Sequence, residues 1–351
     1  MLLSAEAVDG APAGARAWRI RYLSSNDKGK IEQVTAMVVA PDRPPPRMGR
    51  KVLAWAHGTW GVTQHCAPSL DQAAFFKATP GLELALAKDY VVVATDYAGL
   101  GTPQQHPFLV GSIAAYNVLD SIRAARALPD SGAGNRFAVW GESQGGHSAL
   151  FTGQYAKHYA PELSLVGVAA AAPPTDLPEN LAKGSDPSTR AFMTAYAAYS
   201  WSLHFGHPLA SLGKKSTGEI IEKLAQKCVK LDSKPNLGTI IGVTVLRTRL
   251  KSVNLGNIEP WASTARANSV STQPYGIPFL IAQNSKDTLV APAVTRAFAR
   301  KLCRNRATVR YLDIVSSTGH TTTGRDSEVE TMDWIDARFA GAAPPNGCAR
   351  I

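Results

Sequence analysis

A set of short, continuously apolar runs constrains the fold most strongly. Residues 52–55, 90–95, 137–140, 165–170 and 278–282 are apolar without the one-in-two alternation of a half-solvated strand. Such runs fit strands covered on both faces, as in a parallel sheet. Segments 18–23, 34–39 and 308–315 bring the strand candidates to eight. Helical stretches fall between them at 82–88, 116–128, 144–159, 292–303 and 327–339. Strands alternating with helices predict a doubly wound, mostly parallel α/β sheet.

One block breaks the alternation. Residues 177–275 carry helical patterns and only a weak strand signal. Phe192, Tyr196, Tyr199 and Leu203 recur at spacings of four, three and four, which places them on one helical face. Residues 218–230 form a second amphipathic segment. The block is expected to be a helical insertion after the 165–170 strand, over the carboxyl ends of the strands, where α/β ligands bind. Core segments 1–176 and 276–351 would flank it. The Pro-rich turn at 41–46 and the tail at 341–347 read as loops.

Composition excludes several classes. With 45% hydrophobic and 18% charged residues among 351, the chain can bury a sizeable core and is not disordered by composition. No apolar run reaches the roughly 18 residues of a membrane helix, so no integral membrane segment is expected. The net charge is +10. Its densest basic runs, 223–234 and 300–310, lack the aromatic interleaving that stacks bases. The excess is read as a solvated basic surface, with no nucleic-acid partner. The four cysteines, Cys66, Cys228, Cys303 and Cys348, form no C-x-x-C pair. They fit two disulfides in an exported protein or four thiols in a cytosolic one. The start, MLLSAEAVDG, lacks a secretory signal, so either the protein is cytosolic or a leader has been removed.

The sharpest chemical signal is Gly141-Glu142-Ser143-Gln144-Gly145, with an apolar strand before it and a helix after it. G-x-S-x-G in that context predicts a serine on a tight strand-to-helix turn, its hydroxyl exposed at the helix amino end. A serine nucleophile needs a histidine base oriented by a carboxylate, in the chain order Ser, Asp or Glu, His. Asp287 follows the strand at 278–282, and His320 follows the strand at 308–315. Their loops can meet near Ser143. Asp176, which also follows a strand, is the alternative acid. His147 is expected to be a packing residue, and His57, His65 and His106 precede the serine, the wrong order for its base.

Two backbone N–H groups should form the oxyanion hole. Gln144 supplies one. The early strand ends in Ala56-His57-Gly58-Thr59-Trp60-Gly61, so Thr59 is the expected second donor, with Trp60 the choice if the loop is shifted by one. Trp60, Tyr97, Phe192 and Tyr199 are candidate substrate contacts, although the aromatic stripe reads first as packing. No phosphate-binding loop, dinucleotide fingerprint or H-E-x-x-H is present. Nothing calls for a metal or cofactor. Cys66 is set aside as a nucleophile because a serine elbow is present.

Several of these segments together resemble the secretory lipase family of α/β-hydrolases. They are Ala56-His57-Gly58-Thr59, His65-Cys66-Ala67-Pro68-Ser69, Ala94-Thr95-Asp96-Tyr97-Ala98-Gly99-Leu100-Gly101 and Gly141-Glu142-Ser143-Gln144-Gly145-Gly146-His147, with the Asp287 and His320 tail. The resemblance runs from about Trp18 to Phe339. It implies an exported carboxylic ester hydrolase, an esterase or lipase, with a helical lid, nucleophile Ser143, acid Asp287 and base His320. Glu142 departs from the family pattern, where relatives often have His. The resemblance further implies that the Cys66 loop and the lid lie close, so that Cys66 pairs with Cys228 and Cys303 with Cys348. That pairing places the protein in an oxidising compartment, secreted or periplasmic, with transient contact to a lipid interface. An acyltransferase using the same triad with an alcohol acceptor is the alternative reaction. A binding module on a dead hydrolase fold would be expected to lose a triad member, and a gated peptidase to carry a propeller-like domain. Acyl length, alcohol moiety and oligomeric state stay open.

Overall fold

The computed structural model describes residues 1–229, 237–250, 253–316 and 318–351. One nine-stranded sheet runs through it, built from β1 (Leu2–Val8), β2 (Ala15–Ser25), β3 (Ile31–Pro41), β4 (Arg50–Ala56), β5 (Val91–Thr95), β6 (Ala133–Glu142), β7 (Ser164–Ala171), β8 (Phe279–Asn284) and β9 (Val309–Ile314). The strand order is β1-β2-β3-β5-β4-β6-β7-β8-β9. Strands β4 to β9 run parallel to one another, and β1, β2 and β3 join antiparallel at one edge, β3 against β5.

The continuous apolar runs follow from a sheet with two buried faces. In β6, Phe137 and Val139 face one core cluster while Ala138 and Trp140 face the other. Alternate residues of β5 divide in the same way, Val91 and Val93 against Val92 and Ala94. Helices Gly111–Arg126 and Gln144–Tyr159 pack on the first side, and Glu328–Phe339 on the second. All eight expected strands are present, shifted at their ends by a few residues. The unexpected β1 is an edge strand with mostly exposed side chains, so its sequence carries no burial pattern. Helix Gln72–Ala78 was not expected either. It is short, and its start is set by the Asp71 carboxylate, which accepts the N–H of Ala74.

Between β7 and β8 the chain is helical: Leu177–Lys183, Pro187–Phe205, Lys215–Ala225, Leu237–Arg249 and Trp261–Ala267. The amphipathic segment expected at 218–230 corresponds to Lys215–Ala225, and residue 230 lies outside the described residues, as do positions 230–234 of the basic run. The aromatic stripe is buried at Tyr196 but reaches solvent at Leu203, which is 46% exposed. Two disulfides tie the chain, Cys66–Cys228 and Cys303–Cys348. The first joins the segment after β4 to the helical block, and the second fastens the tail to helix Pro292–Arg304. Among the described residues no helix is long and apolar enough to cross a membrane.

Candidate active site

Strand β6 ends at Glu142, and helix Gln144–Tyr159 starts two residues later. Ser143 takes the whole turn, at φ 56° and ψ −121°. A non-glycine residue in this region is strained and persists only where the surroundings hold it. The surroundings are the flanking glycines and one hydrogen bond. A Cβ on Gly145 would stand 1.8 Å from the Ala56 carbonyl oxygen, and one on Gly141 2.1 Å from that of Gly145. The close approach of helix to strand therefore requires glycine at both positions. The Ser143 N–H donates to the Ala171 carbonyl at 2.9 Å, fixing the turn to β7.

Strands β8 and β9 are parallel neighbours, so the segments after them emerge side by side. Asp287 follows β8 and is buried. Its Oδ1 accepts the N–H groups of Leu289 (2.9 Å) and Val290 (2.8 Å), and its Oδ2 accepts the Gln283 amide at 2.9 Å. The carboxylate is thereby locked in one orientation. His320 sits on the short turn Gly319–Thr322 after β9. Its Nδ1 lies 2.7 Å from Asp287 Oδ2, and its Nε2 lies 2.8 Å from Ser143 Oγ. An ionised carboxylate can only accept, so Nδ1 carries the proton and Nε2 is left to accept from the serine hydroxyl. Burial works against charge on His320, but the hydrogen bond and charge of Asp287, joined by the charge of Glu142, outweigh it and raise its pKa.

The remaining candidates have other partners. Asp176 caps helix Leu177–Lys183 through the Glu179 N–H. His147 is fully buried, with Nε2 2.7 Å from the Asn268 carbonyl oxygen and its ring against Phe151, and burial pushes it down to about 4. His57 bonds the Gly58 carbonyl and packs at a tilt against the Tyr97 ring, while His65 is exposed beside the Gln226 carbonyl. His65 also neighbours Cys66 and Cys228, but both sulfurs are committed to the disulfide.

An apolar cavity of about 70 Å³ opens at Ser143. Thr59 and Gln144 both line it, beside the serine. Its walls include Phe108, Leu177, Leu181, Met193, Ala197 and Trp201. Trp60, Tyr97, Phe192 and Tyr199 are not among its lining residues. Tyr97 is buried below the site, its hydroxyl donating to the His57 carbonyl. The Trp60 carbonyl accepts the Val229 N–H. The Tyr199 hydroxyl accepts from Gln226, and Phe192 packs on Tyr196. Helix Pro187–Phe205 is buried on more than one side, and the face toward the cavity is Met193, Ala197 and Trp201, one position along from the aromatic stripe.

His106 has a part that its sequence position gave no reason to expect. Its Nδ1–H donates to the Ala98 carbonyl at 2.8 Å, which leaves Nε2 as acceptor for the Gln144 side-chain amide at 3.0 Å. Burial holds the ring neutral, with a pKa pushed down to about 4. The same segment is bonded to the helical block. Ser200 Oγ donates to the His106 carbonyl and accepts the Phe108 N–H, and the Trp201 indole donates to the Phe108 carbonyl.

Comparison with known proteins agrees with this architecture. The family model described as "Secretory lipase" matches residues 79–347. A probable inactive lipase of Mycobacterium tuberculosis is 23% identical over 349 residues, covering 94% of this chain and 75% of the relative. Lipase A of Arthroderma benhamiae is 24% identical over 369 residues, covering 95% and 73%. Among solved structures, Candida antarctica lipase A superposes with a TM-score of 0.76 at 20% identity, over 99% of this chain and 84% of that one. The rice cell wall degrading esterase LipA from Xanthomonas oryzae gives 0.75 at 17% identity, over 97% of each. These likenesses show the α/β-hydrolase fold, and the family match covers most of the chain: the protein belongs to the secretory lipase family.

Proposed function

We propose that the protein is an active serine carboxylic ester hydrolase. The observation that carries this reading is the 2.8 Å approach of His320 Nε2 to Ser143 Oγ, with Asp287 2.7 Å behind the ring. Family membership supports ester hydrolysis. It does not decide activity, because one relative is named a probable inactive lipase. In the proposed reaction Ser143 Oγ attacks the ester carbonyl while His320 takes its proton. Asp287 keeps the ring in the accepting tautomer and offsets its positive charge. The N–H groups of Thr59 and Gln144 bind the oxyanion, each typically worth roughly 3–4 kcal/mol in the transition state. His320 returns its proton to the leaving alcohol, and water then hydrolyses the acyl-enzyme by the same route.

The helices between β7 and β8 act as a cap in this reading, since Met193, Ala197 and Trp201 line the cavity that holds Ser143. The apolar wall points to an acyl chain. The two disulfides and the family support an exported protein working in an oxidising compartment. A panel of p-nitrophenyl esters from acetate to palmitate, with an emulsion assay beside it, tests the reading. Turnover across part of the panel is expected. No turnover on any ester would overturn it.

A further inference from the structure

The residue before the nucleophile is a carboxylate, and its side chain turns toward the base. Glu142 closes β6, and its Oε1 accepts the Gly324 N–H at 2.8 Å. Gly324 lies four residues after His320, in the helix Thr323–Asp326 that continues the His320 turn. Between them Thr323 Oγ1 donates back to the carbonyls of Gly319 and His320. The contact is tight at Gly324. A Cβ there would stand 3.1 Å from Glu142 Oε2 and 3.2 Å from Pro80. Glu142 thus spans from the strand that presents the nucleophile to the turn that presents the base.

We propose that Glu142 is a second acidic positioning residue of this site, which fastens the His320 turn to the nucleophile strand and adds its negative charge to that of Asp287 in stabilising the imidazolium. The proposal rests on the hydrolase reading given above. The charged groups around the pair are few. Asp287 and Glu142 face His320, and His320, Arg325 and Asp287 face Glu142. Arg325 is itself engaged by Glu328 and by the Lys77 carbonyl. Burial raises the Glu142 carboxyl to about 7, although the Gly324 hydrogen bond and the charges of His320 and Arg325 pull the other way. The two groups are coupled, and the anion favours the protonated ring that forms during serine attack.

The test uses the full chain as wild type, Glu142→Gln and Glu142→Ala, with two readouts: NMR titration of the His320 ring and the pH profile of kcat/KM on a short ester. Gln keeps an acceptor for the Gly324 N–H and removes only the charge. Glu142→Gln is expected to lower the His320 midpoint by about one unit, the size of shift one neighbouring charge produces. The acid limb should move with it, and the plateau rate should fall about tenfold, the rate equivalent of one pKa unit. Glu142→Ala should show the same titration shift and also melt earlier. A Glu142→Gln protein whose His320 midpoint and acid limb coincide with wild type would overturn the proposal. Should the midpoint move in a protein that hydrolyses no ester, the hydrolase reading falls and the positioning role stands. Should turnover be robust with the midpoint unmoved, the outcome is the reverse.

Discussion

His320 Nε2 stands 2.8 Å from Ser143 Oγ, although the two residues are 177 positions apart. The contact exists because β6 and β9 lie in one sheet and deliver the elbow and the His320 turn to the same edge. In the proposed reaction, proton transfer from the hydroxyl to the ring is a step between hydrogen-bonded neighbours.

The base must be neutral to accept that proton. Its pKa is raised above its ordinary value, so kcat/KM should rise with pH through a midpoint above about 6.5. Asp287→Asn removes the main opposing charge. It should bring the midpoint down and cut kcat by about three to four orders of magnitude. His320→Ala should cost at least as much and abolish the acid limb. Initial rates between pH 5 and 9 decide this, and a flat profile in the wild type would be inconsistent with a histidine base.

Gly145→Ala should unfold the elbow rather than tune it. The added methyl would lie 1.8 Å from a backbone oxygen, and no side chain can move aside to relieve the contact. A stability loss of about 3 kcal/mol or more is expected from overpacking of this kind. Urea titration followed by circular dichroism measures it. A midpoint equal to wild type would mean that the helix–strand approach is looser than described.

The elbow was readable because all its determinants are contiguous: a strand, two glycines that exclude a Cβ, and a serine. Asp287 and His320 were readable because each follows an apolar strand. The cavity wall was not. A helical stripe tells which face of Pro187–Phe205 is apolar, but this helix buries Ala191, Thr194, Ala195, Tyr196, Ala197, Ala198, Ser200 and Trp201, which occupy several faces. Spacing cannot then decide which residues meet the substrate. The His106–Gln144 contact was also hidden, since it joins a loop to the elbow helix across 38 positions. Nothing in the local sequence marks one histidine among eight for that place.

Met193→Trp should narrow the cavity. Hydrolysis of a decanoyl ester should fall about tenfold or more relative to the acetate, within the range that one pocket contact gives. Phe192→Ala, one residue away but off the cavity wall, should leave the ratio unchanged. Equal losses for both esters in Met193→Trp would place the acyl chain elsewhere.

Reduction should lower the melting temperature. Cys66–Cys228 and Cys303–Cys348 close spans of 162 and 45 residues. Bridges of this kind typically contribute about 2–4 kcal/mol each, largely by restricting the unfolded chain. Differential scanning fluorimetry with and without reductant checks this. Removal of Cys303–Cys348 alone by paired serine substitutions should lower the melting temperature while leaving the ester preference intact, because that bridge lies away from the cavity.

The most direct test of the central claim is covalent labelling of the full chain with a fluorophosphonate, followed by peptide mapping and residual turnover. A single adduct on Ser143 is expected, with turnover lost in proportion to labelling, and Ser143→Ala should neither label nor hydrolyse esters. An adduct on another residue, or ester hydrolysis that persists in Ser143→Ala, would contradict the account.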